Sequence, residues 1–216
     1  MRDFPMFTTE FGLSSLVLKE IPYKKQAFIH IRGVQPGSFR EHLEECVAFC
    51  RMCGAETVFA AGNENLEGFP LYTAVTEMRG TAWVDREKLK SLFPVTEATV
   101  TEWRNIYNER MRGVDNTATL ESRDEKRIVE SGGAYFVHDN GSLLGIGWLE
   151  DTKLLAVASV KPGAGEAVMH TLMSLAEGAD MVLEVASTNE RAISLYEKLG
   201  FLKTRQIQIW YDVTRL

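Results

Sequence analysis

The chain has little of what marks several large protein classes. No stretch approaches the ~20 consecutive apolar residues of a membrane helix. The opening Met1-Arg2-Asp3-Phe4-Pro5-Met6-Phe7-Thr8-Thr9-Glu10 lacks the apolar core of a secretory signal. Lys and Arg total 24 against 30 Asp and Glu, a net charge of -6, with no basic stripe. That balance argues against nucleic acid as the main partner. Three cysteines in 216 residues is an odd count that points to reduced thiols rather than a disulfide framework. The expected address is cytoplasmic, with no membrane partner.

The hydrophobic content is 45%, enough for one large or two small domains. The most informative stretch runs from Val182 to Phe201. An apolar β-type run, interrupted by Glu184, closes on Ser187-Thr188-Asn189. A short amphipathic helix follows and stops at Gly200, the usual residue for a left-handed helix end. Ala192, Leu195, Tyr196 and Leu199 fall on one face of it at i, i+3, i+4 and i+7.

Just upstream, Lys153 to Val160 reads as a strand and Lys161-Pro162-Gly163-Ala164-Gly165-Glu166 as a turn. Ala167 to Ala176 then reads as a helix with Val168, Leu172 and Leu175 inward. A glycine turn entering a helix presents free N–H groups, and the helix dipole adds positive potential, so a pyrophosphate can settle there.

The strand, the Asn turn, the Leu195-Tyr196 pair and the Gly200-Phe201 exit resemble the acetyl-CoA site of the GNAT acyltransferase family. The Leu-Glu-Val strand and Asn-x-x-Ala-x-x-Leu-Tyr helix look like the N-terminal acetyltransferases of the ribosomal-protein-alanine type. The resemblance implies a GNAT-like α/β fold on a mixed sheet, with a central V-shaped opening for acetyl-CoA. It makes Glu184 the base that deprotonates an acceptor amine and Tyr196 the acid that protonates the departing thiolate. Ser159 and Val160 would pair with the pantetheine arm, and the backbone of Gly163, Ala164, Gly165 and Glu166 would hold the pyrophosphate. Asn189 and Ala192 would contact the cofactor. No metal is implied. The turn departs from the family in being shorter and in carrying Val160 where an Arg or Gln is usual, with Lys161 the nearby cation.

Cys46, Cys50 and Cys53 form a Cys-x3-Cys-x2-Cys set whose spacing resembles the iron–sulfur motif of radical SAM enzymes. Against this, Glu41 to Gly54 reads as a helix with the three cysteines on its inner face, where free Cys packs as a small hydrophobe. No glycine-rich SAM segment follows.

The halves also echo one another. Val34-Gln35-Pro36-Gly37 returns as Val160-Lys161-Pro162-Gly163, each between an apolar strand and an amphipathic helix. Gly54-Ala55-Glu56 matches Gly178-Ala179-Asp180, Asn63-Glu64 matches Asn189-Glu190, and Leu71-Tyr72 matches Leu195-Tyr196. The expectation is a partial, degenerate GNAT-like domain at 1–88 and a complete one at 89–216. Asp85 to Leu92 would form a helical connector. Phe93 to Ala98 would be a short strand, Thr101 to Met111 and Glu121 to Glu130 helices. Ala134–His138 and Leu143–Leu149 would pair about an Asn140-Gly141 turn, and Ile207 to Val213 would close the sheet. Gly68-Phe69-Pro70 breaks what would be the last helix of the first half. That half would complete the sheet, shape the acceptor pocket or mediate dimerisation.

The function implied is acetyl transfer from acetyl-CoA to an amine, on a small molecule or a peptide N-terminus. The rival is a non-catalytic CoA-binding or interaction protein of the same fold. Trp103, Tyr107 and Trp148 are the aromatic residues on offer for an acceptor pocket.

Overall fold

The computed structural model describes residues 5–216. In chain order the elements are β1 (Met6–Thr8), β2 (Gly12–Val17), α1 (Ile21–Lys24), β3 (Gln26–Val34), α2 (Phe39–Met52), β4 (Thr57–Ala61) and β5 (Leu71–Thr81). They continue as β6 (Ser91–Pro94), α3 (Val100–Met111), α4 (Ser122–Ser131), β7 (Ala134–Asp139) and β8 (Ser142–Glu150). The chain ends with β9 (Lys153–Ser159), α5 (Gly165–Met173), β10 (Asp180–Ala186), α6 (Glu190–Lys198) and β11 (Leu202–Asp212). No helix among the described residues is long and apolar enough to cross a membrane.

The chain forms two compact units. One holds the residues up to Val75 together with Gln206–Leu216, and the other holds Thr76–Arg205. Both boundaries fall inside strands, β5 and β11, so the units differ from the sequence halves at 1–88 and 89–216. The physical reason is an exchange of last strands. The end of β11 pairs with β4 in the first unit (Tyr211 with Ala60, Asp212 with Phe59). In the second unit the end of β5 lies beside β10, where Ala82 N–H donates to Ala179 O and Gly178 N–H to Ala82 O.

In the first unit the strand order is β1-β2-β3-β4-β11, antiparallel except for β3–β4. Leu43, Cys46, Val47 and Cys50 of α2 bury themselves against Leu16, Ile29, Ile31, Val58 and Ala60. At ~1.5–3 kcal/mol per fully buried large aliphatic side chain, that seam holds the helix down. Cys53 departs from the expectation. The helix ends at Met52, so the third cysteine caps it and is exposed. Burial pushes the Cys46 thiol to about 11 and the Cys50 thiol to about 12. Both therefore favour the protonated form and act as packing residues.

In the second unit β5, β10, β9, β8, β7 and β6 follow in that order, with β9–β10 parallel. Val168, Met169, Leu172 and Met173 of α5 are fully buried on one face, with Met181, Leu183 and Val185. The helix lies close on β8 because Gly145 and Gly147 offer no Cβ. One at Gly145 would come within 2.8 Å of Val168 Cγ2, and one at Gly147 would strike the Leu172 side chain. On the opposite face α3 and α4 cover Ile146, Trp148 and Ala156. Trp103 is wholly buried and donates through Nε1 to Tyr135 O, stacked near Tyr107 and edge-on to Trp148. These three aromatics are core rather than an acceptor pocket, a correction with a plain cause: their faces are consumed by one another.

The Asn140-Gly141 turn forms with φ of 48° and 77°, positive at both positions as a two-residue hairpin requires. The expected helical connector is instead a single 3-10 turn at Arg86–Lys88, capped by Asp85, after which the chain enters β6. Leu89 and Leu92 pack onto the α5 core, and that long-range burial overrides the local helical charge pattern.

Candidate functional site

The site is built where two parallel strands part. β9 and β10 share only two register pairs, Lys153 with Val182 and Leu154 with Leu183. β9 then runs on to Ser159 and β10 to Ala186 without a shared pair. The parting coincides with a β-bulge. Against β8, Leu154 faces Leu149 and Ala156 faces Trp148, so Leu155 is an extra residue. A bulge bends its strand and sharpens its twist, which turns β9 away from β10.

Past the bulge, hydrogen-bonding direction alternates along β9. Val160 N–H donates to Leu144 O at 2.8 Å, and Val160 O accepts from Arg110 Nη2 at 3.1 Å. Both backbone groups of Val160 are thus engaged. The backbone of Ser159, and by alternation that of Val157, points to the gap side. Of the two residues expected to meet a pantetheine arm, Ser159 presents its backbone to the gap, and Val157 joins it unforeseen.

The turn after β9 keeps Gly163 at φ 81°, with nothing within 4 Å of where a Cβ would stand. The first α5 bond is from Val168 N–H to Ala164 O, so the N–H groups of Gly165, Glu166 and Ala167 lack intrahelical acceptors. No side chain caps this end. Gly165 lets α6 approach, since a Cβ there would lie 3.3 Å from Leu195 Cδ2.

Glu166 is the surprise. Its carboxylate lies along the first turn of α5, 4.0 Å from His170 Nε2, held by Lys88 Nζ at 2.5 Å and Lys198 Nζ at 2.6 Å. The hydrogen bonds from Lys198 and Lys88 hold its carboxyl far below the usual range, at about 2. Asp85 Oδ2 also lies 3.5 Å from Lys88 Nζ, so two ammonium groups are matched by two carboxylates and the cluster carries no net positive charge. Sequence reasoning named Lys161 as the cation and missed Lys88 and Lys198. The (i, i+4) rule is blind to both, because they lie 78 and 32 residues away.

Asn189 caps α6, its Oδ1 accepting from Ala192 N–H at 3.3 Å. Asn189 and Ala192, both expected to contact the cofactor, are thus bonded to each other, and the amide Nδ2 is the part of Asn189 left for a ligand. Thr188 Oγ1 donates to Asp115 Oδ2 at 2.7 Å. With Arg110 on Val160, this ties the end of α3 and its following loop to both strands flanking the gap.

Glu184 and Tyr196 occupy opposite faces of β10. Met181, Leu183 and Val185 point into the α5–α6 core, where Tyr196 is buried with them. Glu184 alternates to the other face and is exposed, its Oε1 2.6 Å from Lys153 Nζ. Burial pushes the Tyr196 hydroxyl to about 12. It stays protonated across the physiological range, a donor and never a base.

These residues fit the acetyl-CoA expected of the sequence. The gap has strand-edge groups to pair with an amide-bearing arm, and free N–H groups at the start of α5 to meet phosphates.

No protein-family model matches the chain, and no curated sequence does. Solved structures do. A functionally unknown conserved protein from Staphylococcus epidermidis superposes with a TM-score of 0.57 at 9% identity, over 98% of this chain and 95% of that one. A GCN5-related N-acetyltransferase from Anabaena variabilis superposes with a TM-score of 0.60 at 9% identity, over 88% of this chain and 55% of that one. At these identities the likeness is one of fold: the chain is a mixed α/β protein with a GNAT-like fold.

Proposed function

We propose that this protein is an acetyl-CoA-dependent N-acetyltransferase that passes the acetyl group directly to an amine. The observation that carries the reading is the β9–β10 gap with a carboxylate and a phenol on opposite faces of its β10 wall. Direct transfer needs a group to take the amine proton and another to protonate the thiolate as it leaves. Glu184, on the open face, suits the first task, and Tyr196, protonated and buried beside the gap, suits the second. Val157 and Ser159 would hold the pantetheine arm. The N–H groups of Gly163, Gly165, Glu166 and Ala167 would hold the pyrophosphate, with Asn189 contacting the cofactor; Ala164, expected with them, already donates its N–H to Lys161 O.

The acceptor is read as a small-molecule amine or a peptide N-terminal amine, and the first unit as a closed, non-binding relative of the second. A second reading, CoA binding without catalysis, is favoured by one observation: Glu166 sets a negative charge at the phosphate turn. A panel of amines assayed for acetyl-CoA-dependent release of free CoA separates the two. Release with one amine class supports transfer. Calorimetric binding with no release on any amine leaves the second reading, and no binding at millimolar acetyl-CoA removes both.

A further inference from the structure

Resting on that reading, we propose that Lys153 is an acetyl acceptor within the chain itself, acylated in cis with Glu184 as its base. An external amine has to bring its ammonium to the open face of β10, hydrogen-bonded to Glu184, at the point where the strands separate. Lys153 already does so. It starts β9 opposite Val182, at the closed end of the gap. Glu184 lies two residues further along β10, on the same face as Val182 and just past Leu183, the last paired residue. The lysine side chain therefore leans across the closed end toward the opening, and its Nζ rests 2.6 Å from Glu184 Oε1. Both side chains keep substantial exposure, 48% and 41%, so neither is locked by packing.

An exposed ion pair of this kind contributes little to stability, ~0–1 kcal/mol. Its placement is what matters. Of the other lysines around the gap, Lys88 and Lys198 are turned onto Glu166 at the start of α5, and Lys161 stands on the turn beyond the far end of β9.

The step balances without any further reagent. Nζ gives one proton to Glu184 and its lone pair forms a bond to the acetyl carbon. The carbon–sulfur bond breaks, the sulfur takes the Tyr196 hydroxyl proton, and the nitrogen sheds its second proton to water as the amide forms. Tyr196 recovers a proton from water and Glu184 releases its own. The net change is acetyl-CoA and a lysine ammonium to acetyl-lysine, free CoA and one proton. The product amide is neutral, so the ion pair with Glu184 is lost and the carboxylate becomes available to an external amine.

The test uses full-length protein with acetyl-CoA and no added amine, followed by peptide mass spectrometry. Lys153 should gain one acetyl group at least tenfold faster than any other lysine, with a first-order rate independent of protein concentration. Glu184→Gln should slow it at least tenfold while leaving acetyl-CoA binding by calorimetry unchanged. Lys153→Arg, which keeps the charge, should abolish it. A readout free of acetyl-CoA is the labelling of Lys153 by acetic anhydride, where Glu184→Gln should alter the rate at Lys153 and at no other lysine. Acetyl-CoA binding with Lys153 unmodified, or modified equally in Glu184→Gln, overturns this inference and leaves the proposed function standing. Absence of acetyl-CoA binding overturns both.

Discussion

The two parallel strand pairs of this chain, β3–β4 in one unit and β9–β10 in the other, start from nearly the same local grammar. Each first strand is followed by a Pro-Gly turn, with Gly37 at φ 83° and Gly163 at φ 81°. Each then leads through a helix to a second strand that ends at an asparagine cap, Asn63 or Asn189. Yet β3 and β4 are zipped over five pairs, from Gln26–Thr57 to His30–Ala61, while β9 and β10 share two. Both β3 and β9 carry a bulge, and its position decides the outcome. In β3 the extra residue is Arg32, beyond the end of β4. In β9 it is Leu155, immediately after the last paired residue. One residue of excess chain, moved by a few positions, separates a closed sheet from an open gap.

The pairs diverge again downstream. After Asn189 comes the two-turn helix α6, which delivers Tyr196 to the core beside the gap. After Asn63 there is only a 3-10 turn, and Gly68-Phe69-Pro70 sends the chain into β5, where Tyr72 stacks on Phe59 at 3.7 Å. Equivalent Leu-Tyr dipeptides therefore end on different elements, one on a helix beside an opening and one on a strand.

The comparison can be broken most forcefully at those tyrosines. Tyr196→Phe keeps the ring and its packing but removes the donor, so kcat should fall about 10²-fold with acetyl-CoA affinity nearly unchanged. Tyr72→Phe should leave kcat at the parental value. Equal losses in the two variants, measured by steady-state kinetics on the true acceptor, would mean the phenol acts through stability alone.

A smaller effect is expected at the matched glycines. Alanine at Gly37 or Gly163 forces a side chain into the left-handed region, costing about 1–2 kcal/mol of stability at either site. Calorimetry should show a loss of acetyl-CoA affinity for Gly163→Ala only, about tenfold or 1.4 kcal/mol.

Glu166 sharpens the contrast in charge, since the position matched to it in the first unit is Arg40. Its folded pKa, held down to about 2, lies below the ~4.3 of an unperturbed glutamate. The stability it contributes is thus complete above that unfolded value and is lost as pH falls toward 2. Glu166→Gln should flatten this acid limb in chemical denaturation and, by releasing Lys88 and Lys198, tighten acetyl-CoA several-fold. Arg40→Gln should do neither. The smallest effects belong to the cysteines. Cys46→Ala and Cys50→Ala should each cost about 1–2 kcal/mol, and exposed Cys53→Ala within ±0.5 kcal/mol, with turnover intact in all three.

Much of the gap's framework is legible in local sequence. The Val182–Phe201 strand, cap and helix carry their own stop signals, and the Asn140-Gly141 hairpin needs only its positive φ angles. What was not legible depends on distant contacts. The Leu155 bulge leaves no mark in the run Leu154-Leu155-Ala156-Val157, where apolar residues suit either register. The extent of β11 is hidden because Leu202 to Ile207 are exposed without alternation, and the exchange of last strands has no local code. The lysines on Glu166 are joined to it by the fold alone, and Cys53 falls outside a helix that stops at Met52, two residues before the expected Gly54.

The most direct test of the central claim is backbone hydrogen exchange on the full-length protein with and without saturating acetyl-CoA. The account predicts new protection at Val157–Val168 and at Asn189–Ala192, with none at the matching Ile31–His42 and Asn63–Leu66. No protection anywhere at millimolar acetyl-CoA, or protection on the β3–β4 side, would contradict it.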